Sequence, residues 1–129
     1  MSSDNNMIRL ALDAMGGDNA PACVVRGADI ACGVNPNLEI VFYGDEARIS
    51  PLIGKASHLG RASIVHTVDA VSPDDTASQA VRRGKATSMW MAIASVAAGE
   101  TDAVVSAGNT GALMAMSKLQ LRPMTGVTR

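Results

Sequence analysis

Aromatic residues are scarce: one Trp, one Tyr and one Phe occur in 129 residues. Unpaired nucleic-acid bases would find few rings to stack on. There is no basic excess either. Eleven Lys and Arg against 12 Asp and Glu leave a net charge of −1, whereas gripping a phosphate backbone needs clustered cations. Nucleic acid is therefore excluded as a partner. No apolar run approaches the ~20 residues that span a bilayer. The opening MSSDNNMIRLALDAMGGD lacks a basic n-region, and Asp13 interrupts its apolar stretch, so it does not read as a secretory signal. The expected location is the cytoplasm.

Cysteine is limited to Cys23 and Cys32. On one expected helix they stand roughly 13 Å apart on opposite faces, too far for a disulfide, and read as two buried thiols. No Cys or His pair has zinc-ligand spacing, so no metal is expected. His58 and His66 stand alone, and His66 sits in a strand pattern where a structural role is the ordinary one.

The usual nucleotide and hydrolase motifs are also missing. Gly16-Gly17 and Gly108-x-x-Gly111 do not have the dinucleotide spacing G-x-G-x-x-G. Gly54-Lys55 and Gly84-Lys85 are each followed by alanine and lack the earlier glycine of a P-loop. No G-x-S-x-G nucleophile elbow is present. No cofactor is expected.

What remains is an apolar fraction of 47% and a charged fraction of 18%, the balance of a soluble globular protein long enough for one real core. Residues 1–6 are polar and expected to fray. Ile8 to Leu12 reads as a strand and runs into Asp13-Ala14-Met15-Gly16-Gly17-Asp18-Asn19. Pro21 suits the first turn of a helix capped by Asn19 or Ala20 and running to about Cys32, with Gly33 as its stop.

Leu38 to Tyr43 is nearly all apolar, the pattern of a strand buried on both faces of a parallel sheet. Asp45 can cap a helical turn, and Ser50-Pro51 looks like a fresh start, so a short or broken helix is expected here. Ala62 to Val68 reads as a third strand. After the Ser72-Pro73-Asp74-Asp75 turn, Thr76 to Arg83 forms a short helix ended by Gly84. Thr87 or Ser88 caps the next, Met89 to Ala98. That helix is apolar almost all round and should be buried, with a subunit or domain contact as one place for it. The Met-rich helices read as core packing ahead of an acyl pocket.

The fourth strand, Ala103 to Ser106, leads into Ala107-Gly108-Asn109-Thr110-Gly111, and a helix follows over Ala112 to Leu121. Asn109 or Thr110 is the candidate cap. Four strands alternating with helices predict a mainly parallel sheet covered on both faces, an α/β/α arrangement. Such sheets bind ligands at the carboxyl ends of their strands. Both glycine loops directly follow strands, so both fall on that edge.

These loops suit a small phosphate or phosphoryl compound. Glycine lets backbone N–H groups approach a ligand, and a helix N-terminus favours anions. The candidate binding groups are Gly16, Gly17 and Asp18 in the first loop, Ser106, Gly108, Asn109, Thr110 and Gly111 in the second, and Arg83 and Lys85 from the basic stretch Arg82-Arg83-Gly84-Lys85. Asp13 and Asp18 would cap or orient the first loop, or bind a substrate hydroxyl or amine, because a carboxylate placed on a phosphate is repulsive.

Leu12 to Asp18 with Pro21, Gly44-Asp45-Glu46, Ala80 to Lys85 with Ser88-Met89, and Val105 to Ala112 stand in one characteristic order. Together they resemble the PlsX-type phosphate acyltransferases of bacterial phospholipid synthesis, and the resemblance covers nearly the whole chain. It implies transfer of a fatty acyl group from acyl carrier protein to inorganic phosphate, giving acyl phosphate for a membrane glycerol-3-phosphate acyltransferase. It also implies a fold like that of phosphotransacetylase and isocitrate dehydrogenase, a homodimer, and a cytoplasmic protein peripherally associated with the membrane.

The sequence departs from the family pattern at Asn19, where His is common, and at Thr76-Ala77, where Glu-Pro is usual. Ala86-Thr87 also replaces a more polar pair. Family members are much longer, so residues 7–129 are expected to be the N-terminal part of a single α/β acyltransferase domain and inactive alone. Under this resemblance phosphate, held by the loop N–H groups and Arg83 or Lys85, attacks the thioester carbonyl; no catalytic base is assigned. The rival readings are a phosphotransacetylase-like enzyme using acyl-coenzyme A, and a non-catalytic binding or dimerisation module.

Overall fold

The structure, a computed structural model, describes residues 7–126. The expected tail at 1–6 lies outside them, as do residues 127–129. The described residues form four strands in one sheet: β1 (Ile8–Asp13), β2 (Leu38–Gly44), β3 (Ser63–His66) and β4 (Ala103–Val105). Their order is β3-β2-β1-β4, and every pairing is parallel. Five helices join them: α1 (Ala22–Val34), α2 (Glu46–Gly54), α3 (Ala77–Arg83), α4 (Ser88–Ala97) and α5 (Thr110–Leu121). The expected α/β class with a parallel sheet is what forms.

Alternation along the central strands sends side chains to two faces. Leu12, Ile40 and Phe42 pack with Val25 and Ala28 of α1 and Ile49 of α2. Ala11, Val41 and Tyr43 pack with Ala92 of α4. A further cluster joins Ala80 of α3, Met89 and Ile93 of α4, and Ala112 and Met116 of α5. β2 is buried over its last five residues, as its unbroken apolar run predicts. The apolar surround of α4 is used within the chain, against β1, β2, β4 and α5.

Several local expectations shift. Pro21 occupies the cap position of α1 and supplies no side-chain cap; Asn19 contributes its carbonyl, which accepts from the N–H of Cys23. Gly33 does not stop the helix, which runs on to Val34. A Cβ at Gly33 would stand 2.8 Å from the His58 ring, so this glycine serves a close approach. α2 is one helix with Pro51 inside it, started by Asp45, whose carboxylate accepts from the N–H of Ala47. Pro51 lacks an N–H, but Ile49 is fully buried and anchors the segment.

Strand β3 is shorter than expected. His66 at its end accepts on Nδ1 from the N–H of Glu46, a structural role. Cys32 is half-buried, and burial pushes its thiol up. Cys23 is exposed, not buried, because it lies on the side of α1 that faces an open groove.

The connection order explains where a ligand belongs. From β1 the chain steps through α1 to β2 and through α2 to β3, moving one way across the sheet. It then returns through α3 and α4 on the opposite face to β4, on the other side of β1. The carboxyl ends of β1 and β4 therefore flank the topological switch point, the crevice that parallel sheets use for ligands.

Candidate functional site

Both glycine loops meet at that switch point. β1 ends on Asp13, which is 3% exposed. Its Oδ1 accepts from the Ser88 hydroxyl at 2.6 Å and the Met15 N–H at 3.2 Å; its Oδ2 accepts from the Ser106 hydroxyl at 2.9 Å. One carboxylate thus ties the end of β1, the start of α4 and the end of β4. Ser106 also accepts from the Gly108 N–H, which folds the second loop back on itself.

The loops touch. A Cβ at Gly16 would lie 2.8 Å from Asp13 Oδ2 and 3.0 Å from both the Gly108 nitrogen and Ser106 Oγ; one at Gly108 would lie 3.3 Å from Gly16 Cα. Glycine at both positions is what allows the backbones to abut. Gly17 has φ +101, a left-handed conformation that favours glycine.

A cavity of about 390 Å³ opens between the loops, with Gly17, Asp18, Gly108, Asn109, Thr110 and Gly111 in its wall. Among the described residues, the backbone N–H groups of Gly17, Asp18, Thr110 and Gly111 have no hydrogen-bond acceptor. The last two stand at the N-terminus of α5, where unpaired donors and the helix dipole favour an anion. Met15, Val71, Pro73 and Ala107 complete the wall.

Asn109 is committed elsewhere. Its Oδ1 accepts from the Ala112 N–H as the cap of α5, and its Nδ2 donates to the carbonyls of Ser72 and Asp75, at 3.2 and 2.7 Å. Arg83 is placed away from the cavity wall. It donates twice to Asp75, at 3.1 Å each, and lies 3.8 Å from Asp69. Arg83, Asp75 and Asn109 therefore form a relay bracing the 72–75 turn against the second loop. Lys85 is exposed and is not in the wall of the cavity between the loops.

Ser88 escaped the sequence reading because Thr87 and Ser88 were equal candidates for the cap of α4. Thr87 takes that role, accepting from the Trp90 N–H, and Ser88 is left free to reach Asp13. The one available signal was a hydroxyl pair before an apolar helix.

The Arg83 guanidinium, followed by the Ser72 N–H, holds the Asp75 carboxyl below the usual carboxylate range. A folded value below the unfolded one contributes stability above the ordinary value of 3.8, and loses it as pH falls through the lowered one. Asp75→Asn is therefore expected to flatten the acid limb of a melting-temperature profile from about pH 4 downward. Parallel acid limbs in variant and wild type would contradict this.

The fold and site together define a class: a parallel α/β sheet with a glycine-loop cavity at its switch point. The chain belongs to the fatty acid synthesis protein family, whose model matches residues 8–129. It is 52% identical over 124 residues to a phosphate acyltransferase of Parvibaculum lavamentivorans, covering 95% of this chain and 34% of that protein. Phosphate acyltransferases of Rhodospirillum centenum (54% over 121 residues, 93% of this chain and 34% of that protein) and Bradyrhizobium diazoefficiens (54% over 124 residues, 95% and 35%) are similar. The chain spans about a third of the length of these curated relatives.

Proposed function

We propose that this chain supplies the phosphate-holding wall of a phosphate acyltransferase, which moves a fatty acyl group from acyl carrier protein to inorganic phosphate. The observation that carries this reading is the abutment of Gly16 and Gly108 beside a cavity ringed by unpaired backbone N–H groups. The names of the relatives agree with it. In this reading residues 7–129 form the N-terminal part of one α/β acyltransferase domain.

Phosphate rests on the N–H groups of Gly17, Asp18, Thr110 and Gly111. Gly16, Gly108 and Ser106 hold the two loops in register. Phosphate is already nucleophilic: one of its oxygens attacks the thioester carbonyl, the carbonyl oxygen takes the developing charge, and the thiolate leaves. The protein's task is to position phosphate and stabilise that charge with fixed dipoles. Lys85, exposed and without an ion-pair partner among the described residues, draws anions toward this edge, while Arg83 and Asn109 brace it.

No helix of the described residues is long and apolar enough to cross a membrane. We place the enzyme in the cytoplasm as a homodimer, handing acyl phosphate to a membrane glycerol-3-phosphate acyltransferase. The test is phosphate-dependent loss of acyl carrier protein thioester by the full-length protein, with hydroxylamine trapping of acyl phosphate. Thioester loss at the same rate without phosphate rejects the reading. Faster turnover of acyl-coenzyme A would instead indicate a phosphotransacetylase-like enzyme.

A further inference from the structure

A second, larger cavity of about 530 Å³ shares Gly17, Asp18 and Ala107 with the first and runs away from it between α1 and the β1–β4 part of the sheet. Its floor is Leu10, Leu12 and Ile40, and Val105, at the end of the edge strand β4, is 54% exposed beside them. The groove exists because α1 turns small residues toward it: Gly27, Ala28 and Ala31 are in its wall, with Ala20 in the turn just before the helix. Cys23 to Ala31 covers roughly 12 Å along the helix, a reach suited to an extended hydrocarbon chain. A Cβ at Gly27 would meet nothing within 4 Å, so this glycine leaves open space and is not required by close packing.

The two cavities make a polar end and an apolar run joined at one glycine turn. That is the shape of an acyl group whose carbonyl reacts at the loops. Resting on the phosphate acyltransferase reading, we propose that this groove holds the hydrocarbon chain of the acyl group, with its carbonyl at Gly16–Gly17 and its tail along α1. Each methylene removed from water then contributes roughly fourfold to binding, so the groove sets chain-length preference, with Gly27 as the residue that keeps it open.

The test uses Gly27→Leu and Gly27→Ala in the full-length protein. Gly27→Ala raises the melting temperature by roughly a few degrees, because alanine replaces a glycine inside a helix with no clash. Gly27→Leu stays folded and fills the groove over about three methylenes. It therefore loses on the order of 50-fold in kcat/KM for long-chain donors and little for short ones. In parallel, maleimide labelling of Cys23, exposed in the groove wall, slows when a long-chain fatty acid is added to wild type and not when it is added to Gly27→Leu.

Chain-length profiles that run parallel in wild type and Gly27→Leu overturn the groove and leave the acyltransferase reading intact. Equal loss for all donors, or unfolding of Gly27→Leu, also overturns it, since protein then fills that space. Wild-type protein without phosphate-dependent turnover, but with Cys23 protected by fatty acid only when Gly27 is present, removes the acyltransferase reading and keeps the lipid groove.

Discussion

Gly16→Ala is expected to lower phosphate-dependent acyl transfer by about 100-fold, the scale of loss when reacting groups shift by around 1 Å. It should also cost roughly 1–3 kcal/mol of stability through overpacking. The added methyl group would stand 2.8 Å from Asp13 Oδ2 and 3.0 Å from a backbone nitrogen and a hydroxyl. None of these can step aside cheaply. Asp13 is buried and held by Ser88 and Ser106, and Gly108 is pinned to Ser106. The two loops must therefore separate, and the N–H groups lining the cavity between them lose their register.

Gly111→Ala provides the contrast. Its Cβ would meet only Asn109 Oδ1, at an ordinary 3.6 Å, inside the first turn of α5. Stability is expected to rise by up to about 1 kcal/mol. Any activity loss there must come from crowding the cavity. Melting curves and initial rates on both variants check the pair: wild-type turnover in Gly16→Ala would remove the abutting loops from the mechanism.

What the sequence made legible was local. Strand, glycines, polar groups and helix follow one another in order at Asp13–Pro21 and at Val105–Ala112, which by itself puts both loops on one sheet edge. The uninterrupted apolar run at Leu38–Tyr43 likewise announced a doubly covered strand. The misreadings arose where a residue has two local uses and only a distant neighbour decides between them.

Gly33 could be a helix stop or a point of close approach, and His58 decides it. Ser50-Pro51 could restart a helix, but the Asp45 cap and the buried Ile49 carry α2 through. Asn109 could present its amide to a ligand, yet the carbonyls of Ser72 and Asp75, more than 30 residues away, take both of its protons. Arg83 was legible as a cation, but its partner Asp75 precedes the helix that Arg83 ends. Charge alone marks a candidate; the pairing that withdraws it from the cavity is a property of the folded chain.

Asp13 is where the remaining large effect is concentrated. Asp13→Ala is expected to destabilise the protein by about 3 kcal/mol or more, since hydrogen bonds to a charged group contribute roughly 1.5–3 kcal/mol, three are lost at once, and one of the partners left behind, Ser88, is buried. Ser88 is 1% exposed, and among the described residues its hydroxyl has no acceptor besides Asp13. The Met15 N–H and the Ser106 hydroxyl lose the same carboxylate. Asp13→Asn separates geometry from charge. Its amide oxygen can still accept from Ser88 and Met15, and its NH₂ can donate to Ser106 Oγ once that hydroxyl rotates. Most of the stability should therefore return, measured by denaturant melts of the three proteins side by side. Activity should recover with it if Asp13 acts by holding the loops. If Asp13→Asn is as stable as wild type yet remains as inactive as Asp13→Ala, the carboxylate's charge takes part in the reaction itself. If Asp13→Ala melts with wild type, Asp13 does not hold the switch point together.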